Sequence, residues 1–226
     1  MPNSTNSKVK RAPKSINEIA IARKAADYGF QKRVFDIVVS CALLAVLAPI
    51  CVGLLILNPV LNRGPLFFFQ ERMGKDCHRF TTWKFRSMTA HDTEGKDAGT
   101  GVRGAFDRLD SHRITALGRF LRKSRVDELP QIINVLRGEM SLVGPRPDAF
   151  SHAQTYLDEI PGYRARFAVL PGISGLAQLD VGYVDDRDGV SRKVAADLHY
   201  LSAASMWNDL RIAKRTVATV LLCRGN

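Results

Sequence analysis

One long apolar run, VFDIVVSCALLAVLAPICVGLLILNPVL from Val34 to Leu61, constrains the fold of this chain more than any other stretch. Lys32 and Arg33 precede it and Arg63 follows it. About 20 apolar residues suffice to cross a bilayer, so its length allows a span. Pro49 breaks it near the middle, however. A proline removes one main-chain hydrogen bond and clashes with the preceding turn, which predicts a sharp kink. Each half then holds roughly a dozen residues, about 18 Å of helix, against about 30 Å of hydrocarbon. Positive charges at both ends favour both ends lying on the cytoplasmic side. A helix that enters, bends at Pro49 and returns to the same face satisfies these facts. On physics alone a kinked single-pass anchor fits equally well, and a buried helix of a soluble core fits less well.

The rest of the chain reads as α+β and mainly helical. Residues 1–31 are polar and basic, and Ile16 to Ala26 offers only a weak apolar face, so this part reads as a tail or membrane-surface arm. It does not read as a signal peptide, because the apolar run starts too late and lacks a cleavage-like ending. Gly64–Met73 and His78–Met88 are two short β-like segments rich in aromatics. Lys84, Phe85 and Arg86 mix cations with an apolar residue, which suits a surface pressed on lipid headgroups or the solvated side of an edge hairpin. Residues 89–110 are polar, with three glycines from Gly99 to Gly104, and predict a loop. Arg113–Lys123 predicts a helix with Leu117, Phe120 and Leu121 inward; Ala149–Glu159 and Ser191–Ser205 predict two more. Leu176–Val181 (LAQLDV) reads as a short strand in a loop region punctuated by proline and glycine. Asn208–Leu222 is a basic amphipathic helix with Trp207 at its start, suited to a membrane interface or to a core.

A formal net charge of +11 calls for an anionic partner: nucleic acid, an anionic membrane surface or phosphorylated small substrates. Cys41, Cys51, Cys77 and Cys223 show no C-x-x-C spacing and read as reduced, packed thiols. Five scattered histidines give no zinc pattern.

Arg125–Arg137 (RVDELPQIINVLR) places two adjacent carboxylates, Asp127 and Glu128, just before an apolar-periodic segment. Asp127 reads as a helix N-cap, with Pro130 in the first turn and Ile132, Ile133, Val135 and Leu136 on the buried side. Exposed N–H groups and the helix dipole there favour an ionised carboxylate and can also hold a phosphate. A plain cap explains this segment when it is taken alone. Further on, Pro145-Arg146-Pro147 fixes the backbone on both sides of one arginine, which suits a bidentate grip on phosphate oxygens or a simple turn with a solvated side chain. A membrane-dipping helix, adjacent carboxylates and nearby arginines together point to a phosphoryl substrate and a lipidic one. A carboxylate can attack phosphorus to form an acyl-phosphate-type intermediate. Such chemistry normally needs a divalent metal, and magnesium takes few protein ligands.

The ordered set KRVFD (Lys32–Asp36), GPLFFFQERMG (Gly64–Gly74), KFRSM (Lys84–Met88), LGRFLRKSRVDELPQ (Leu117–Gln131), NVLRGEMSLVGPRP (Asn134–Pro147) and PGISGLAQ (Pro171–Gln178) resembles the bacterial sugar transferases of the small monotopic phosphoglycosyl transferase superfamily. The resemblance covers residues 32 to about 222. It implies three parts: a tail at 1–31, a re-entrant membrane helix at 32–62 kinked at Pro49, and a compact cytoplasmic α/β catalytic domain with interfacial helices at 63–226. It implies that Asp127 attacks the β-phosphorus of a UDP-sugar, releases UMP and passes the sugar phosphate to polyprenyl (undecaprenyl) phosphate. Glu128 would assist by taking a proton from the lipid phosphate, Mg2+ would sit at Asp127 and the diphosphate, and Arg122 and Arg146 would hold phosphate. Lys32 and Arg33 match the basic pair at the membrane entry. The implied setting is the cytoplasmic face of the bacterial inner membrane, in contact with its lipids, with homo-oligomers possible and exopolysaccharide or related glycan synthesis as the context. Leu170 and the stretch LDVGYVDDRD depart from the family pattern, so donor identity does not carry over.

The competing class is a non-catalytic membrane-anchored scaffold or a nucleic-acid-binding module driven by the positive charge. The basic residues are spread among apolar segments with no nucleic-acid-binding motif, so no nucleic-acid partner is expected.

Overall fold

The computed structural model describes residues 16–62, 64–88, 114–182, 184 and 186–222. The loop expected at 89–110 and the first fifteen residues lie outside the described residues. The described chain is mainly helical with two small sheets, in line with the α+β expectation.

Helix α1 runs from Ile16 to Leu61 with Pro49 and Pro59 inside it. It therefore starts well before the apolar run, and residues 32 and 61 are parts of the same helix. Ile16–Gln31 is free of proline and holds four alanines beside single Glu, Arg, Lys and Gln residues, good helix formers that favour a helix without needing a buried face. One side of α1 lies on the rest of the molecule: Leu47 and Leu54 are buried with Phe85 and Leu121, and Val126 and Leu129 pack beside them. The other side is bare, with Val38, Val52, Leu55, Ile56 and Val60 exposed. The stretch Tyr28–Leu61 is long and apolar enough to cross a membrane, and little of it is buried.

Both ends of that stretch are tied down. Near its start, Asp36 Oδ1 accepts the Leu142 N–H at 3.1 Å, and Tyr28 donates to Asp209 Oδ2 at 3.0 Å. At its end, Asn58 donates to the Gly64 carbonyl at 2.6 Å, and Asn62 donates to the Arg86 carbonyl at 2.8 Å.

Strands β1 (Phe67–Met73) and β2 (Arg79–Phe85) form the expected antiparallel hairpin, with Phe69 opposite Trp83. Helix α2 (Ala116–Lys123) is capped by the Thr115 hydroxyl, which accepts from Gly118 N–H. Leu121 faces in as expected, whereas Phe120 is 65% exposed. A helix of eight residues has room for one buried stripe, and Gly118 and Leu121 fill it.

Helix α3 (Gln131–Arg137) leads to strand β3 (Ser141–Val143), which pairs in parallel with β4 (Gly172–Ser174). Helix α4 (Phe150–Glu159) lies between them in sequence, and α5 (Leu176–Asp180) follows β4. The strand expected at 176–181 is thus a helix. Leu, Ala and Gln are good helix formers, and the pairing role falls to the preceding Gly-Ile-Ser. That pairing is close: a Cβ on Gly172 would stand 2.1 Å from the Gly144 backbone nitrogen. Helices α6 (Arg187–Ser202) and α7 (Met206–Leu221) complete the fold. Ile212 of α7 is buried against Val143, Tyr200 and Leu201, while Trp207, Leu210 and Val217 are exposed along the opposite face.

Candidate active site

Asp127 and Glu128 sit in a short 3-10 turn, Val126–Glu128, between α2 and α3. Arg125 turns the chain into it in a left-handed conformation, φ 57°, which is uncommon outside glycine and costs energy. The expectation that Asp127 caps a helix is corrected here. It stands inside the 3-10 turn, Pro130 occupies the position before α3, and no side chain caps that helix. The helix is also only Gln131–Arg137, so its dipole does not account for the carboxylate. Tertiary contacts do. Of the apolar residues expected on its buried side, Ile132 and Val135 are buried, while Ile133 and Leu136 are only partly so. Gln131 and Asn134 take the remaining buried positions.

Asn134 anchors the turn to the hairpin. It accepts the Trp83 N–H at 3.1 Å and donates to the Thr81 carbonyl at 2.7 Å, so α3 runs beside β2. That placement carries Lys84 to the dyad. Its ammonium lies 3.3 Å from Glu128 Oε1. Lys84 was expected on a lipid- or solvent-facing surface; instead only 16% of its side chain is exposed.

Arg146 reaches the same carboxylate from the P-R-P loop. Its Nη1 donates to Glu128 Oε2 at 3.1 Å and its Nη2 to Oε1, a bidentate pair. Burial alone would raise Glu128, but Arg146 and Lys84 overcome it and hold the carboxyl well below its usual range. Asp127 behaves oppositely. Burial and then the neighbouring Glu128 charge raise it to about 6, against the pull of Lys84, Arg146 and Arg122. Burial lowers Lys84 to about 8, which Glu128 opposes. Arg122, in the last turn of α2, thus stands close enough to favour the Asp127 charge.

Behind Arg146 lies a buried ionic cluster. Arg166 donates to the Arg146 carbonyl at 2.8 Å, to Asp148 at 2.7 Å and to Asp197 at 2.6 Å. Lys193 pairs with Asp148 too, and Tyr163 donates to it at 2.7 Å. Burial disfavours an ionised Asp148, yet Lys193 and Arg166 hold it far below the ordinary carboxylate range. The main chain of the P-R-P loop is therefore fixed by ions as well as by its prolines.

Lys32, Arg33 and Pro49 lie elsewhere on the molecule. Lys32 pairs with the buried Asp209 of α7. Arg33 donates to the carbonyls of Val135 at 2.6 Å and Leu136 at 2.9 Å, closing the C-terminal end of α3. Both charged heads engage protein groups and fasten α1 to the domain. Pro49 is exposed on α1.

Two polar atoms here are buried without a hydrogen-bond partner, Asp127 Oδ1 and Gln131 Nε2. Among the described residues no cluster of three or more His, Cys, Asp or Glu could hold a metal ion. Both Glu128 oxygens are engaged, which leaves the open oxygen of Asp127. That donor set fits magnesium, which commonly takes one or two carboxylates and fills its shell with substrate oxygens and water.

Residues 27–223 match the family described as bacterial sugar transferase. The chain belongs to that family. This bacterial sugar transferase is 38% identical over 203 residues to a UDP-glucose:undecaprenyl-phosphate glucose-1-phosphate transferase of Caulobacter vibrioides, covering 89% of this chain and 73% of the relative. It is 38% identical over 195 residues to an exopolysaccharide production protein of Rhizobium leguminosarum bv. phaseoli, covering 84% of this chain and 94% of the relative. A third relative, a UDP-N-acetylgalactosamine-undecaprenyl-phosphate N-acetylgalactosaminephosphotransferase of Aeromonas hydrophila, is 36% identical over 205 residues. That match takes in 91% of this chain but 47% of the relative, so the transferase spans about half of that protein's length.

The sequence alone does not mark Lys84, Asn134 or the Arg166 cluster as neighbours of the dyad and the P-R-P loop in this bacterial sugar transferase. Lys84 and Asn134 lie inside the segments that carry the family resemblance, but only the bonding of α3 to β2 through Asn134 brings Lys84 to the dyad.

Proposed function

We propose that this chain transfers a sugar-1-phosphate from a UDP-sugar to polyprenyl phosphate at a membrane surface. The observation that carries the reading is a buried carboxylate, Asp127, with one unpartnered oxygen beside a carboxylate locked by two cations. At about 6, Asp127 is mostly ionised at neutral pH and can act as a nucleophile. An Asp127 oxygen attacks the β-phosphorus, the bond to the bridging oxygen breaks and UMP leaves. The acceptor lipid's phosphate oxygen then attacks the same phosphorus and frees Asp127. Magnesium bound by Asp127 and the diphosphate oxygens would supply charge neutralisation. Arg122 and Arg146 hold phosphate in this reading, and Glu128 holds Arg146 and Lys84 in place. Its depressed carboxyl makes it a weak proton acceptor, so positioning is the role its surroundings favour.

The membrane reading rests on α1. One face is bare and apolar, and both ends of the Tyr28–Leu61 stretch are bonded to a single domain. That supports a helix whose ends share the cytoplasmic face, with Pro49 allowing the bend. The exposed Trp207, Leu210 and Val217 of α7 suit the same interface.

The test is UMP release from a panel of UDP-sugars with undecaprenyl phosphate and magnesium, and mass detection of a phospho-sugar adduct on Asp127. No release with any UDP-sugar would overturn the reading. Cysteine labelling at positions 32 and 63 from each side of the membrane tests the topology, with labelling from one side only expected.

A further inference from the structure

Asp127 Oδ1 and Gln131 Nε2 are four residues apart, and both are buried with no hydrogen-bond partner. Gln131 is only 2% exposed. Folded proteins pair nearly all such groups, and those left open call for a ligand or a function. The position of Gln131 shows which. Three residues on, Asn134 shares its face of α3 and is bonded to Thr81 and Trp83 of β2. Three residues back, Glu128 is paired with Lys84 of the same strand. Gln131 thus stands in sequence between two residues bonded to β2, one of them a member of the dyad.

We propose that Gln131 is a further substrate-binding residue, whose side-chain amide donates a hydrogen bond to a phosphoryl oxygen of the donor diphosphate held at Asp127. This rests on the phosphoglycosyl transfer reading. The chemistry suits it. The cations nearest the dyad, Lys84 and Arg146, already answer Glu128, so a neutral N–H adds a donor without adding charge.

The test uses Gln131→Leu, close in size and lacking polar atoms, and Gln131→Glu, which puts an anion where the donor was. An amide whose partner is substrate predicts that Gln131→Leu keeps or raises the Tm while kcat/KM for the UDP-sugar falls about ten- to hundredfold. Gln131→Glu falls further, because its carboxylate faces the diphosphate. Binding of UDP alone, followed by calorimetry, weakens in both. A Gln131→Leu protein with unchanged kcat/KM overturns the proposal, and so does one whose Tm drops with its activity, since that marks a structural amide. A wild-type protein that turns over no UDP-sugar sinks the transfer reading and this assignment with it. An active wild type beside an equally active Gln131→Leu sinks the assignment alone.

Discussion

Arg146 grips Glu128 with both terminal guanidinium nitrogens, across eighteen residues of chain. The pair joins the P-R-P loop to the turn that carries Asp127, so the two halves of the site share one position. Glu128→Gln keeps the shape but leaves Arg146 and Lys84 with half a partner. Breaking such a buried pair costs on the order of 3 kcal/mol. We expect a folded protein with a Tm lower by several degrees and UMP release cut about a hundredfold, checked by a thermal melt and a donor-turnover assay on the same sample.

Asp127→Asn separates catalysis from stability in the other direction. The native carboxyl is raised to about 6 from a usual value near 3.8, so the folded state binds this proton more tightly than the unfolded one. Stability from this group is full at low pH and is lost as pH rises through the range from about 3.8 to 6. At neutral pH the ionised Asp127 therefore destabilises the fold, by on the order of 3 kcal/mol. The asparagine variant, melted without divalent cation at pH 7.5, should be at least as stable as wild type while forming no phospho-sugar adduct. A lower Tm would show that the carboxylate is better solvated than its burial indicates.

Turnover should follow the same titration. As pH falls through about 6, Asp127 is protonated and the rate drops about tenfold per unit. Glu128, held far lower, contributes no second acid limb in that range. Single-turnover adduct formation between pH 4.5 and 8 checks this, and a flat profile would remove Asp127 as the titrating nucleophile.

Gly172→Ala tests the seat of the P-R-P loop. The added methyl would meet Gly144 at 2.1 Å, and backbone cannot give way as a side-chain tip can. β3 and β4 must separate, which shifts Pro145-Arg146-Pro147 from Glu128. We expect destabilisation of several kcal/mol by overpacking and loss of transfer in whatever protein remains folded. Full activity with an unchanged melt would contradict the observed strand spacing.

Much of this architecture is legible in the chain. The hairpin shows as two aromatic runs, α1 as its apolar stretch, and α4, α6 and α7 as periodic patterns. The dyad and Arg146 stand out because of their rare company of proline and adjacent charge. What does not show is anything set by which element lies beside which. Lys84 alternates into β2 like a surface residue until α3 covers that side. Arg166 sits in a stretch with no periodic signal, and only the closeness of Asp148 and Asp197 makes it internal. The helix cap at Asp127 fails for a local reason: Arg125 enters the left-handed region and tightens the following residues into a 3-10 turn.

The double fastening of α1 has a mechanical consequence. Asp36 is bonded beside β3, and Asn62 is bonded to the end of the hairpin that carries Lys84. A membrane helix joined by a flexible linker lets its domain swing freely above the bilayer. In the membrane reading proposed above no such swing is available, and the height of Asp127 above the hydrocarbon would be set by the depth at which α1 rests. Bilayer thickness would then become a variable that the Asp127 carboxylate feels directly.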